Sequence, residues 1–425
     1  MKKLVIKGGQ VLHGEVAVEG CKNAAVAILP ATLLTEEPCL IENVPDVSDV
    51  RIIIEILRKL GAECRWEAKD ALYIDTKNVN SYRASYEIIS RMRGSYYFIG
   101  SLLGRFGHAE VALPGGCDFG TRPIDMHLKG FLSLGATITE EYGMVNAHAV
   151  GGLKGASIYL DKVSVGATIN IMLAAAKANG ITTIENCARE PHVVDLANFL
   201  NSMGANIRGA GTDVIKVKGV ETLHGSKGYS IIPDQIEAGT YMIAAAATKG
   251  DVTVRNVIPR HMESLTAKLE EMKIGVEEGA DYIRIFYNGP FHGTNVKTLP
   301  YPGFPTDLQP QIAVLLTLAQ GNSTVTEAVW DNRFRYVSEL RRMGADIKVE
   351  GPTALVFGPR GLKGTSLRCT DLRAGAALVI AALASYGESE LYDIKYIDRG
   401  YVDIEGKLSA LGADIRREDA EWESL

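Results

Sequence analysis

One turn recurs six times along this chain, and a repeat of that kind constrains the architecture before any single residue is considered. The segments KLGAECRWE, SLGATITEE, SMGANIRGA, EMKIGVEEG, RMGADIKVE and ALGADIRRE lie at intervals of roughly 70 residues, measured between Gly61, Gly135, Gly204, Lys273, Gly344 and Gly412. A glycine at that point suits the left-handed C-cap of a helix. The fourth copy departs from the pattern by carrying Lys273.

Each copy carries more than the turn. An alternating apolar run such as TTIENCAREP, VTVRNVIPRH, STVTEAVWDN or SELYDIKYID reads as a strand. A helix-period segment follows, as in VVDLANFLNSM, ESLTAKLEEM, VSELRRM or IEGKLSAL. Two short strands come after the turn. Upstream lies a helix of small apolar residues on all sides, for example KNAAVAILPATLL, VGATINIMLAAAKA or RAGAALVIAALAS, which predicts burial inside a domain. A further strand precedes most of these helices, as in GGQVLHGEVAVEG and GGLKGASIYLDK. The unit is strand, helix, strand, helix, strand, strand, and six such units exceed one core, so two domains of three units each are expected.

Composition narrows the function classes. The 425 residues are 46% hydrophobic and 23% charged with a net charge of −6, so no overall basic field points to nucleic acid or to an anionic membrane. The apolar run in MKKLVIKGGQ is too short for a signal-peptide core. INIMLAAAKA and AALVIAALA fall short of the roughly 20 residues a membrane span requires. Cys21, Cys39, Cys64, Cys117, Cys187 and Cys369 are scattered, without a paired ligand spacing, which predicts reduced cytoplasmic thiols and no metal or other cofactor.

Chemistry is expected at the starts of the buried helices. Those starts carry Lys22 with Asn23, Arg93, Lys162 with Ser164, Asp234 with Glu237, Asp307, and Asp371 with Arg373. Acids there are ordinarily caps or first-turn acids. A cation is different, because it opposes the helix dipole unless an anion lies beside it, and Lys22, Arg93 and Arg373 are three such cases.

The stretch LPGGCDFGTRPID, residues 113–125, puts Cys117 on a Gly-Gly turn between a strand and a helix. Arg122 would lower its pKa and Asp118 would raise it, so both a thiol able to donate a proton and an ordinary buried thiol remain open. The D-F-G within it has no accompanying kinase loops and is set aside.

Taken together, KNAA (22–25), LPGGC with G-x-RP-I-D (113–125), DKVSVGAT (161–168), AREP (188–191), FPTD (304–307), NRF (332–334), DLRA (371–374) and IDRGY (397–401) resemble the UDP-N-acetylglucosamine enolpyruvyl transferase family, over almost the whole chain and in the family's order. The resemblance implies a two-domain inside-out α/β barrel built as an inverted repeat of six βαβαββ units, with one domain of residues 1–21 plus 232–425 and the other of 22–231. It implies transfer of the enolpyruvyl group of phosphoenolpyruvate to a sugar hydroxyl of UDP-N-acetylglucosamine, in the first committed step of peptidoglycan synthesis, with both small molecules as partners and no membrane span. Such an addition and elimination requires one acid, one base and a cationic cradle.

By motif position, Cys117 resembles the proton donor, the site of a covalent phosphoenolpyruvate adduct and the target of fosfomycin. Asp307 resembles the base that meets the sugar hydroxyl. Lys22, Arg122 and Arg399 match phosphate and carboxylate contacts, with Asn23 beside them and Arg333, Arg373 and Arg93 as the surrounding cationic wall. Asn23, Arg93, Arg122, Pro123, Ile124, Asp125, Met126, Lys162, Val163, Ser164, Val165, Asp307 and Val329 match the nucleotide-sugar positions. Departures from the family pattern are Cys21, Asp118-Phe119, Tyr396, and Pro30, which is expected to interrupt the first helix. The nearest enzyme alternative is enolpyruvylshikimate-phosphate synthase, whose opening motif is absent; a non-catalytic UDP-sugar-binding paralogue is the alternative from another class.

Overall fold

Each copy of the recurring turn ends a helix in the same way. In the computed structural model, which describes residues 2–84, 93–112 and 124–420, the helix Ser48–Leu60 closes with Gly61 N–H donating to Arg58 O and Ala62 N–H to Leu57 O, both at 3.0 Å. The same pair of bonds recurs at Gly135, Gly204, Gly344 and Gly412, all left-handed with Gly61 at φ between 90° and 107°. This is the Schellman cap. Lys273 makes it too, at φ 69°, donating to Glu270 O while Ile274 donates to Leu269 O. The degenerate copy has therefore kept the conformation and lost only the residue best suited to it.

The described residues hold six four-stranded sheets, one per repeat. The sheet of Ser157–Tyr159, Ile181–Glu185, Val214–Lys218 and Asn206–Arg208 shows the common plan: the first two strands are parallel across a helix, and the last two add antiparallel as a hairpin. Side chains alternate between buried and exposed along Val214–Lys218, as a sheet with one solvated face requires.

Three strands serve repeats other than those they adjoin in sequence. Tyr229–Ser230 runs parallel to Cys39–Glu42 and so opens the first repeat of its unit. His13–Ala17, within GGQVLHGEVAVEG, does not open the repeat of the helix that follows it but pairs parallel with Asp251–Arg255. Lys2–Lys7 lies between Glu388–Tyr392 and Asp414–Asp419 and completes the last repeat. The chain accordingly forms two compact units, Met1–Glu19 with Pro233–Leu425, and Gly20–Ile232, with three sheets in each.

Within each unit the small-residue helices lie inside and the sheets outside, an inside-out α/β barrel. In the unit containing Pro233–Leu425, the helices Gln235–Ala247, Gln309–Leu318 and Leu372–Ala384 pack on one another and are buried along nearly their whole length. In the other unit Tyr97–Phe106 lies against Val165–Ala175 so closely that a Cβ on Gly100 would stand 2.4 Å from Asn170 O. Pro30 does not interrupt the first helix, which runs Lys22–Ala31 and continues as the 3₁₀ turn Thr32–Leu34. It sits in the last turn, where the chain is already passing to the tighter 3₁₀ pattern and little of the α-helical ladder remains to be broken.

Candidate active site

In the unit containing Pro233–Leu425, Asp307 lies in the 3₁₀ turn Thr306–Leu308, which leads into the helix Gln309–Leu318. One carboxylate oxygen accepts from Arg373 Nη2 at 2.8 Å and the other from Arg333 Nη2 at 3.3 Å, and Arg333 also donates to Thr306 O. The two guanidinium groups are nearly buried, with side-chain exposures of 6% and 11%, whereas Asp307 retains 28%. A carboxylate oriented from behind by two cations and still reachable from solvent can take a proton from a bound hydroxyl.

Arg373 owes its place to the helix Leu372–Ala384, whose N-cap Asp371 accepts from the N–H groups of Arg373 and Ala374. Burial alone would lower the pKa of Arg373, but Asp307, with Tyr401 and Asp234, raises it on balance, so it is a permanent cation. The Tyr401 hydroxyl is fixed in turn by Thr240 at 2.8 Å. Arg399 ends the 3₁₀ segment Ile394–Arg399, two residues before Tyr401, and is half-buried. Val329 is exposed, and its N–H donates to the Glu327 carboxylate.

The acids at helix starts thus divide. Asp234 and Asp371 are caps, each accepting from two first-turn N–H groups. Glu237 is a buried partner of Lys407 at 2.8 Å. Asp307, in the turn before its helix, faces two arginines. The anion that offsets the unfavourable placing of Arg373 at a helix N-terminus is Asp307 itself.

In the unit Gly20–Ile232, Lys22 and Asn23 open the helix Lys22–Ala31, and Lys22 Nζ meets the buried Asp49 at 3.1 Å. Ile124, Asp125 and Met126 lie at the start of the helix Asp125–Ser133. Lys162 and Val163 are exposed in the turn before Ser164, which caps Val165–Ala175 by accepting from Ala167 N–H at 3.2 Å. The exposed ion pair Lys129–Asp161, 2.8 Å, links the middle of the helix Asp125–Ser133 to the turn before Val165–Ala175. Arg93 begins the 3₁₀ turn Arg93–Tyr96. Cys117, Arg122 and Pro123 lie outside the described residues.

The profile of the EPSP synthase family, 3-phosphoshikimate 1-carboxyvinyltransferase, matches residues 6–408. UDP-N-acetylglucosamine 1-carboxyvinyltransferase 3 of Caldanaerobacter subterraneus is 56% identical over 98% of this chain and 99% of its own length. UDP-N-acetylglucosamine 1-carboxyvinyltransferase 2 of Clostridium acetobutylicum is 55% identical over 98% of this chain and 100% of its own. The chain belongs to the UDP-N-acetylglucosamine 1-carboxyvinyltransferase family. Among solved structures, the enolpyruvyl transferase NikO from Streptomyces tendae superposes with a TM-score of 0.89 at 28% identity, covering 99% of each chain. An EPSP synthase from Acinetobacter baumannii shares the fold, with a TM-score of 0.76 at 17% identity over 99% of this chain and 100% of its own.

For this carboxyvinyltransferase-family chain, the expected site residues fall into two clusters, one in each unit. Asp307, Arg333 and Arg373 are in direct contact, with Val329 and Arg399 on nearby segments of the same unit. The starts at Arg93, Ile124–Met126 and Lys162–Val165 converge on Asn170, a buried residue of Val165–Ala175. Its Oδ1 accepts from Gly100 N–H while its Nδ2 donates to Tyr96 O and His127 Nδ1, at 2.8 to 3.0 Å. That bond makes Nδ1 the acceptor of a neutral His127. Asn170, His127, Asp49, Thr240 and Tyr401 are supports that residue-by-residue reading passed over. The available signal was a polar side chain inside an apolar helix, as in INIMLAAAKA. Among the described residues no helix is long and apolar enough to cross a membrane, and no cluster of His, Cys, Asp or Glu is placed to hold a metal ion.

Proposed function

We propose that this chain transfers the enolpyruvyl group of phosphoenolpyruvate to UDP-N-acetylglucosamine, releasing phosphate and feeding peptidoglycan synthesis. The observation that carries the reading is Asp307 held between Arg333 and Arg373 in a chain 56% identical to a UDP-N-acetylglucosamine 1-carboxyvinyltransferase. In this reading Asp307 takes the proton of the attacking sugar hydroxyl. Cys117 supplies the proton to the alkene carbon, and a proton lost again from that carbon as phosphate leaves the tetrahedral intermediate restores the double bond. Lys22, Asn23, Arg122, Arg333, Arg373 and Arg399 hold the phosphate and carboxylate of phosphoenolpyruvate.

The nucleotide sugar is read by Arg93, the 122–126 segment, the 162–165 segment and Val329, with Ser164 and its helix N-terminus facing phosphate. Cys117 is also where a phosphoenolpyruvate adduct and the epoxide fosfomycin would attach. A cytoplasmic location and a role in cell growth and division belong to the same reading. The buried free thiols Cys21, Cys39, Cys64, Cys187 and Cys369 support it, since such thiols suit a reducing compartment.

Phosphate release with phosphoenolpyruvate plus UDP-N-acetylglucosamine, compared with shikimate 3-phosphate, tests the assignment. Release from phosphoenolpyruvate is expected with the nucleotide sugar as acceptor and not with shikimate 3-phosphate, together with a mass increase on Cys117 after fosfomycin. Turnover of shikimate 3-phosphate instead would replace the acceptor, and labelling away from Cys117 would remove its role.

A further inference from the structure

We infer that Glu327 is a positioning residue for Asp307, acting through Thr306; its kinetic consequence rests on the enolpyruvyl-transfer reading. Glu327 directly follows the strand Gly321–Thr326 and is 5% exposed. Its Oε1 accepts from Thr298 Oγ1 at 2.7 Å, Val329 N–H at 2.9 Å and Trp330 N–H at 3.0 Å. Its Oε2 accepts from Thr306 Oγ1 at 2.9 Å. One carboxylate therefore joins the end of the strand Asn295–Lys297, the loop at Val329 and the turn that carries Asp307. Arg333 and Arg373 hold that turn from the side of the Asp307 carboxylate, and Glu327 holds it through the neighbouring residue.

This arrangement is not a general requirement of the fold. In four other copies the residue after the equivalent strand is left-handed: Asn43, Asn186, Asn256 and Asp393, with φ between 55° and 59°. The three asparagines donate Nδ2 to Ile231 O, Leu160 O and Val18 O, each at 2.8 Å, and those three carbonyls belong to buried apolar residues. In the fifth copy both partners differ. Thr298, 0% exposed, stands in the apolar position, and Glu327 stands where asparagine would, accepting bonds instead of donating one. This is the copy that carries Asp307. Asp393 keeps the left-handed backbone without the amide bond, so Glu327 departs from the three asparagine copies in both conformation and chemistry, as is expected where function overrides the generic fold.

Without the Glu327 to Thr306 bond, the turn loses its hold on the side of Thr306, and the Asp307 carboxylate can settle onto the two arginines and away from a hydroxyl. Such a displacement affects the chemical step more than ground-state binding. Thr306→Val is expected to lower kcat by about tenfold or more, with KM for both substrates changed less than about threefold, whereas Glu327→Ala, which also frees the Val329 N–H, should lower kcat as far and raise KM for the nucleotide sugar as well. Glu327→Gln is expected to keep most activity. Its amide oxygen can take the three donors on Oε1 while its NH₂ donates to Thr306 Oγ1, since a hydroxyl also accepts. Glu327→Gln combined with Thr306→Val should match Thr306→Val alone.

Crystal structures of wild type and Thr306→Val supply a readout independent of turnover: the Asp307 carboxylate should settle toward the two guanidinium groups, shortening its 3.3 Å contact with Arg333 Nη2. If Glu327→Ala does not fold, the nearly isosteric Thr306→Val still decides. A wild-type kcat in Thr306→Val, or an unmoved Asp307 in its structure, overturns the inference. Should the wild-type protein release no phosphate, the enolpyruvyl reading fails, and the position of Asp307 in Thr306→Val still supports or overturns the positioning role.

Discussion

Asp307→Asn keeps the shape of the side chain and removes the proton acceptor. Its kcat should fall by about 10²–10⁴-fold, the usual weight of a general base, while nucleotide-sugar affinity measured by calorimetry changes little. Asp307 and Arg373 stood out within short motifs, yet nothing in a one-dimensional pattern pairs two side chains 66 positions apart, so their contact emerged only in the fold. The same holds for Lys22 and Asp49, 27 positions apart. Lys273 provides a second residue-scale test, on stability. A side chain at φ 69° is strained by about 1–2 kcal/mol, and glycine gives back part of the relief as extra freedom in the unfolded chain. Lys273→Gly should therefore stabilise the protein by about 0.5–1 kcal/mol in chemical denaturation, with activity unchanged; a loss of stability would show that the lysine side chain makes up for its strained backbone.

At the scale of elements, the repeat was readable because its strongest signals are local: an apolar helix, a left-handed cap and a hairpin, each written in consecutive residues. Strand membership was harder to read. Tyr229–Ser230 is two residues long, too short to show any alternation, and His13–Ala17 belongs to a sheet whose next strand begins at Asp251. Such long-range pairing leaves no periodic trace. What the sequence pattern does carry is the closeness of the inner helices, because glycine and alanine are the residues that permit it. Gly100 lies on the backbone of Asn170, and Asn170 in turn gathers the helix starts that bear Arg93, Ile124–Met126 and Lys162–Val165. Gly100→Ala would place a methyl group against backbone that cannot yield. A destabilisation of about 1–3 kcal/mol is expected, with weaker UDP-N-acetylglucosamine binding at temperatures where the variant remains folded. Unchanged melting and unchanged affinity would mean that the two helices separate without consequence.

For the molecule as a whole, the distribution of charge between surface and interior sets how stability depends on pH. Arginine and lysine partners hold Glu15, Asp46, Asp251, Glu271 and Glu390 below the ordinary carboxylate range, so their contribution is lost as the solution is acidified. Two interior acids behave oppositely. Burial pushes Asp195 up to about 6, against hydrogen bonds from Tyr229 and Ile232, and pushes Glu237 up to about 7, against Lys407. A carboxyl group whose folded pKa is raised binds its proton more tightly in the folded state. Its stabilisation is fully present below its unfolded value near 4 and disappears as pH rises through 6 to 7. For Asp195 the change amounts to about 3 kcal/mol at most, from roughly two pKa units. The surface pairs are well exposed and individually weak, so the two buried groups should dominate above pH 4. Melting temperature should peak near pH 4 and decline toward pH 7. Asp195→Asn tests the cause within one unit, because asparagine can still accept from Ile232 N–H and donate to the Tyr229 hydroxyl. The variant should melt higher than wild type at pH 7 and no higher at pH 4. A difference independent of pH would assign the effect to packing, and a wild-type profile still rising between pH 5 and 7 would show that the paired surface carboxylates outweigh the buried ones.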